Sequence, residues 1–237
     1  MSRLAWLPDQ LCPVAFRVAR ADECAFEIAK LAGQWSLDDP LQLVQYVWEN
    51  RYRVRIESVR PIPPRISLLF SEAVSHLRAA LDNVVWFMVE QAQGPPPKRV
   101  ETQIAMPICD DEKSFSTWCS DRVKRGLQAI DVGSTLRSRT RSLQVFAPAQ
   151  WTIPSTKPLL ADMTQTEVEL AHPLKLLQRY SNDDKHRAIQ LTFARGTSWT
   201  TGEPVFGPGL AFTNLRVGDL FDEGTWGVPN LGEASQR

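Results

Sequence analysis

The chain has 237 residues, of which 43% are hydrophobic, so it can bury a sizeable core in one domain with an appendage or in two small domains. Its 27 basic and 27 acidic residues cancel, which excludes the strong overall positive charge of many nucleic-acid-binding proteins. The N-terminal segment lacks an apolar core of signal-peptide length, and the longest strongly apolar run, residues 84–89, is too short to span a bilayer. We therefore expect a soluble, cytoplasmic protein.

The first half of the chain predicts a helix, a β-hairpin and a second, longer helix. Residues 17–33 carry apolar residues at helical spacing, and Gly33 is a natural stop. Residues 42–60 instead alternate apolar and polar positions, which predicts a hairpin. Residues 65–93 carry an apolar stripe at steps of four and three, made of Phe70, Val74, Leu77, Leu81, Val84 and Met88.

The second half predicts shorter helices and then strands. Two or three helices are expected between residues 111 and 147, and the proline-containing stretch 148–172 predicts a long surface connection. Pro173 suits the first turn of a helix over 173–194, with an inner face of Leu174, Leu177 and Tyr180 or Ser181. After residue 197, short strands are predicted around Leu210, Phe212, Leu215 and Val217.

These elements predict a mainly α fold of the α+β type. A helical bundle domain, residues 1–196, carries the inserted β-hairpin near 42–60, and residues 197–237 form a small C-terminal β appendage. The central elements are expected to be helices 65–93 and 173–194, packed together.

Metal and cofactor chemistry have no support in the sequence. The cysteines Cys12, Cys24, Cys109 and Cys119 are widely spaced and lie far along the chain from the histidines, so no zinc site is expected. Phosphate-binding and dinucleotide-binding glycine motifs are absent, as is the serine-hydrolase elbow. We predict no metal and no cofactor.

The charge is unevenly distributed. Residues 113–143 carry seven basic and two acidic side chains, a net charge of +5, whereas residues 197–237 have a net charge of −3. The basic segment is interpreted either as a solvated helix face or as a surface that collects phosphates.

Two polar blocks stand out. The first, on helix 65–93, contains Glu72, His76, Arg78 and Asp82, and the spacing of four residues predicts the ion pairs Glu72–His76 and Arg78–Asp82. This block either ties helices together or orients an active site. The second block is Asp183-Asp184-Lys185-His186-Arg187, and we predict that Arg78 or Asp82 lies close to it.

The two blocks carry a resemblance. His-Leu-Arg-Ala-Ala-Leu-Asp at 76–82 and the segment from Leu177 to Arg187 are similar to two signatures, in the same order, of a widespread set of uncharacterised bacterial proteins. The resemblance covers about a fifth of the chain.

A second resemblance concerns mechanism. Arg179 and His186, separated by six residues, match the pattern of HEPN-type ribonuclease domains, which are helical bundles of toxins and phage-defence proteins. The resemblance implies that this pair is catalytic and that RNA is cleaved without a metal. On a continuous helix the two side chains would share one face, about 10 Å apart along the axis. A break at Asn182, or a dimer, could bring such groups closer.

Two hypotheses follow. The first is a HEPN-like, metal-independent endoribonuclease, a toxin or phage-defence effector that acts on RNA as a homodimer. Its catalytic residues are Arg179 and His186, its phosphate contacts are Lys185 and Arg187, and its supporting network is His76, Arg78, Asp82, Asn182 and Asp184. The second is a non-catalytic interaction or scaffold protein in which these residues form a structural polar network and the protein partner is unknown.

Overall fold

The computed structural model describes residues 6–49, 51–147, 171–186 and 220–225 and four isolated positions, 158, 161, 167 and 168; for 183–186 and 220–225 only the backbone is described. The fold is mainly helical, with an antiparallel hairpin between the first two long helices, as predicted. In chain order the elements are a 3₁₀ turn at Asp9–Leu11, α1 at Cys12–Leu37, β1 at Leu41–Trp48, β2 at Arg51–Val59, α2 at Pro64–Gln93, α3 at Lys98–Glu101, α4 at Glu112–Lys124, a 3₁₀ turn at Gln128–Ile130, α5 at Thr135–Ser142, α6 at Pro173–His186 and β3 at Leu220–Thr225.

The described residues form two compact units. The helical unit contains the residues up to Ala29 and those from Arg65 to His186, and the hairpin unit contains Lys30–Pro64 together with β3. The predicted boundary between residues 196 and 197 lies outside the described residues. Among the helices that the structure describes, none combines the length and the apolar character that crossing a membrane requires.

Helix α1 is longer than the sequence pattern predicts. It runs through Gly33 to Leu37, so the predicted stop at Gly33 is wrong. Beyond the glycine, Trp35 is buried and its indole Nε1 donates to the Pro61 carbonyl at 3.1 Å, which anchors the last turns. The apolar stripe predicted for this helix is correct only in part: among Val18, Ala21, Ala25, Ile28 and Ala32, Ala21 is buried but Val18 and Ala25 are exposed, while Cys24 is fully buried.

The predicted hairpin is confirmed. Strands β1 and β2 pair antiparallel, with Trp48 opposite Arg51 at the turn. Glu49 has φ +52°, the left-handed conformation that a two-residue hairpin turn requires. The C-terminal strand β3 pairs antiparallel with β2, so the sheet has the order β1-β2-β3. The predicted strand positions around residues 210–217 lie outside the described residues.

Helix α2 is the longest of the described elements and ends where predicted. Gly94 follows it with φ +79°, and its N–H donates to the Glu90 carbonyl at 2.8 Å. The predicted stripe is correct only in part, because Leu77 and Val84 are exposed. The helix buries Ile66 and Leu69 near its start and Val85 and Val89 near its end.

The main hydrophobic core lies around the C-terminal half of α2. Partly buried Leu81, Met88 and Leu174 pack against it, the last from α6. The buried members of the core are Val85, Val89, Val100, Ile104, Met106, Cys109, Phe115, Cys119, Leu127, Ala129, Ile130 and Leu136.

A buried amide holds the irregular segment that crosses this core. Gln144 is 1% exposed, and its Oε1 accepts from the backbone N–H of Cys109 at 2.9 Å. Its Nε2 donates to the carbonyls of Pro107 at 3.1 Å and Thr140 at 2.9 Å. One side chain therefore satisfies peptide groups of the irregular segment at Pro107 and Cys109 and joins that segment to the last turn of α5.

We predict that Gln144→Leu lowers the free energy of unfolding by about 2–4 kcal/mol, because it leaves buried backbone groups without partners. Urea unfolding of the full chain measures the change. Gln128→Leu is the matched control, since the Gln128 amide is exposed and donates only to the Val123 carbonyl. Equal losses for the two variants would contradict a special role for Gln144.

Candidate functional site

The helix that carries the predicted catalytic pair begins with a buried cap. Pro173 is its first residue, as predicted, and a proline is well suited there because the first N–H has no partner within a helix. The preceding His172 is 2% exposed, and its Nδ1 accepts from the backbone N–H of Leu174 at 3.1 Å. The start of α6 is thereby fixed to the interior.

Further along, α6 is fixed by contacts on its inner side. The rings of Phe70 and Tyr180 meet edge to face with centroids 5.0 Å apart, which joins α6 to α2 as predicted. Ser181 is buried, and Lys175 forms a 3.1 Å ion pair with Asp110. These contacts hold helix α6 in place within the helical unit.

The residues predicted as catalytic lie on this helix. Arg179 and Asn182 are exposed, while Tyr180 and Ser181 face inward. The backbone is helical without interruption from Pro173 to His186, so no break occurs at Asn182. Positions 179 and 186 therefore fall on one side of the helix, about 10 Å apart along its axis.

The rest of the second polar block is described only in part. For Asp184, Lys185 and His186 the structure gives the helical backbone but no side chain, and Arg187 lies outside the described residues. The predicted approach of Arg78 or Asp82 to residues 183–187 therefore stays a prediction.

Two residues of the first polar block bind the backbone of Met106. Arg78 and Asp82 pair at 3.3 Å, as the spacing predicts. Arg78 Nη2 also donates to the Met106 carbonyl at 2.7 Å, and Asp82 Oδ1 accepts from the Met106 N–H at 2.8 Å. The pair thus binds both peptide groups of one residue. The sequence could not predict this partner because nearly every residue carries the same backbone N–H and carbonyl groups.

The other pair of α2 joins it to α1. His76 Nε2 lies 3.7 Å from Glu72 Oε1, which confirms the predicted pair. Glu72 Oε1 also accepts from Arg20 Nε at 2.7 Å. The hydrogen bond from Arg20 lowers the pKa of Glu72, so this carboxylate is charged at neutral pH. The helical period of α1 could have placed Arg20 toward α2, although it does not identify the partner.

The basic segment 113–143 is distributed over α4, α5 and the loop between them. Several of its cations are engaged within the chain: Arg122 stacks over the Trp118 ring at 4.5 Å, Arg125 donates to Gln103 and Arg141 pairs with Glu112. Others are exposed, namely Lys113, Lys124 and Arg139. The exposed cations of this segment are therefore dispersed over its surface.

An open groove of about 530 Å³ lies along α4. Its lining includes the carboxylates Asp111 and Asp121 as well as Lys113 and Trp118. Hydrogen bonds from Ser114 lower the pKa of Asp111, so this carboxylate is ionised at neutral pH. Two acidic groups on its wall make the groove a poor place for a phosphate.

The cysteines do not form a reactive site in the described residues. Cys24, Cys109 and Cys119 are buried free thiols, and burial raises the pKa of each. Among the described positions no cluster of three or more His, Cys, Asp or Glu side chains could hold a metal ion.

Comparisons with protein-family models, with curated proteins and with solved structures gave no match.

We predict that Asp82→Ala lowers the free energy of unfolding by about 1–3 kcal/mol, because the Met106 N–H loses its acceptor. Asp82→Asn keeps an acceptor oxygen and removes only a partly exposed charge, so it should cost about 0–1 kcal/mol. Chemical unfolding of both variants measures the two effects. If asparagine proved as damaging as alanine, charge rather than the hydrogen bond to Met106 would dominate.

We also predict that Glu72 contributes to acid sensitivity. Because its folded-state pKa is lowered, its stabilisation is fully present above the ordinary glutamate pKa, roughly 4.3, and is lost as the pH falls through the folded value. The stability difference between wild type and Glu72→Gln should therefore shrink as the pH is lowered from about 6 to 3. Glu90→Gln, at an exposed position of the same helix, is the control and should leave the pH profile of wild type unchanged. A pH-independent difference for Glu72→Gln would refute the assignment.

Proposed function

We propose that the helical unit is a HEPN-like, metal-independent endoribonuclease with Arg179 and His186 as its catalytic pair. The observation that supports the proposal is the placement of Arg179, which is exposed on a helix capped at His172 and anchored at Tyr180. A guanidinium that projects from a fixed helix can bind a phosphate without first ordering its own backbone.

The chemistry assigned to the pair needs no metal. Arg179 holds the scissile phosphate by two parallel hydrogen bonds and stabilises the charge that develops on it. The imidazole of His186 accepts the proton of the 2′-hydroxyl as that oxygen attacks phosphorus. The bond from phosphorus to the 5′-oxygen breaks, the 5′-oxygen takes up a proton from the His186 imidazolium directly or through solvent, and a 2′,3′-cyclic phosphate remains.

Helix geometry favours a pair of chains for this reaction. Positions 179 and 186 are about 10 Å apart along α6, and side chains on one helix lean in the same direction, so the two groups do not converge through backbone geometry. In a homodimer, the arginine of one chain can meet the histidine of the other. We therefore propose a homodimer as the active form, with RNA as substrate and Lys185 and Arg187 as further phosphate contacts.

The setting that we propose is the cytoplasm, as a toxin or phage-defence effector. The four cysteines are free thiols, which suits a reducing compartment. The dispersed exposed cations Lys113, Lys124 and Arg139 would add attraction for RNA that depends strongly on salt concentration.

A second candidate function is a non-catalytic interaction or scaffold protein. The observation in its favour is that the first polar block has structural partners: Arg78 and Asp82 bind Met106, and Glu72 binds Arg20. Exposed aromatic side chains on α1, Phe16 at 66% and Phe26 at 74%, offer surface for a protein partner.

We predict that EDTA-treated full-length protein cleaves single-stranded RNA, and that His186→Ala slows cleavage by about 10²–10⁴. Arg179→Ala should cause a loss of similar size, because the charge on the phosphate is no longer compensated. Single-turnover cleavage of mixed RNA measures both losses, and melting curves recorded alongside show whether each variant is folded.

The matched control is Arg65→Ala, which removes an exposed arginine that pairs with Glu27 elsewhere in the helical unit. It should retain wild-type cleavage. Cleavage that survives both the Arg179 and the His186 substitution would eliminate this pair as the site, and wild-type protein inactive on every RNA offered would favour the interaction protein.

A further inference from the structure

Strand β1 is an edge of the three-stranded sheet. Among the described residues, β2 pairs with one side of β1 and no strand pairs with the other. Its sequence, Leu-Gln-Leu-Val-Gln-Tyr-Val-Trp, contains no charged residue, proline or glycine. A row of backbone donors and acceptors thus lies along an uncharged strand.

The opposite edge of the sheet has a different character. Strand β3 carries the consecutive acids Asp222 and Glu223 in its six residues. Charged residues on an edge strand oppose pairing with another chain, which is how natural sheets protect their edges. Within the described part of the sheet, β3 is therefore an edge with such protection and β1 is an edge without it.

The hairpin geometry fixes which residues of β1 point their peptide groups outward. A two-residue turn closes on the pair Trp48–Arg51, which exchanges both of its backbone hydrogen bonds. Alternate residues before Trp48 do the same, so Val44 and Tyr46 bond to β2 while Leu43, Gln45 and Val47 present their N–H and C=O groups to the free edge. The register is regular from Leu43 to Trp48, since the irregularity lies before Leu43.

The side chains along this stretch are also exposed. Leu43 is 43% exposed, Tyr46 53% and Val47 61%. Apolar groups with this much contact with water on an open strand mark a surface that gains from being covered.

We propose that β1 pairs antiparallel with β1 of a second copy of this chain, about a two-fold axis at Gln45, to form a continuous six-stranded sheet. In this register Gln45 lies opposite the same residue of the second copy. Leu43 lies opposite Val47, and the outward peptide groups of both strands form the hydrogen bonds. The pairing is independent of the chemistry proposed for α6.

The second copy is favoured because β1 is neutral and its apolar positions match one another about the axis. On one face Leu43 meets Val47, and on the other Val44 meets Tyr46, so apolar pairs flank the central Gln45 pair. Every pair is neutral, and no like charges oppose each other across the axis. A strand that selects a different partner would be expected to present a charge that the partner complements, and β1 has none.

A charge-swap experiment tests both the partner and the register. Sedimentation equilibrium of the full-length chain should show wild-type self-association that depends on position 45. Gln45→Lys and Gln45→Glu each place like charges opposite one another at the axis, so each should raise the dimer dissociation constant by about fivefold or more at low salt. An equimolar mixture of the two variants should recover a dimer that contains one of each, identified by native mass spectrometry.

Two further variants make the test decisive. Gln45→Pro removes an N–H that faces the free edge and spares the bonds to β2, so it should stay folded by circular dichroism and lose the association through β1 in sedimentation, leaving at most the homodimer proposed through α6. Glu57→Lys changes the charge at an exposed position of β2 and should leave the dimer unaffected. A wild-type monomer at all concentrations overturns the proposal, and so does a dimer indifferent to both charges at position 45.

Discussion

A buried segment of irregular backbone sets the constraint on which the helical unit depends. Met106, Pro107 and Cys109 are buried, yet their peptide groups belong to no helix or strand. An unbonded peptide group costs free energy comparable to a lost hydrogen bond. The chain meets this cost with side chains: Arg78 and Asp82 bind Met106 from one direction, and the Gln144 amide binds the next residues from another.

This constraint changes the meaning of the polar residues on α2. Charges at the spacing of Arg78 and Asp82 resemble an active-site arrangement in the sequence, but in the structure their hydrogen-bonding capacity is directed at Met106. On α6, Tyr180 and Ser181 face inward and the residue Arg179 is exposed.

Local patterns in the sequence predicted the local features well. The pairs four residues apart on α2, the end of that helix at Gly94 and the hairpin all follow from short-range rules. The partners of those pairs could not be predicted, because Met106 takes part through its backbone. Gln144 lies outside any periodic pattern, and β3 joins β2 from far along the chain. In the candidate site, the exposure of Arg179 depends on which side of α6 packs against the helical unit. The periodicity of the sequence predicts that exposure only once the inner face of α6 is known.

The contacts around Met106 also bear on how the helical unit unfolds. They join residues 24 to 37 positions apart, from α2 before the segment to Gln144 after it. Helices linked only by side-chain packing can open one at a time, whereas here α2 and the segment after α5 are tied to the same few peptide groups. If either α2 or the segment after α5 opens, the buried peptide groups that both protect become exposed. The region should therefore behave as one cooperative unit, formed late in folding because its long loops must close first.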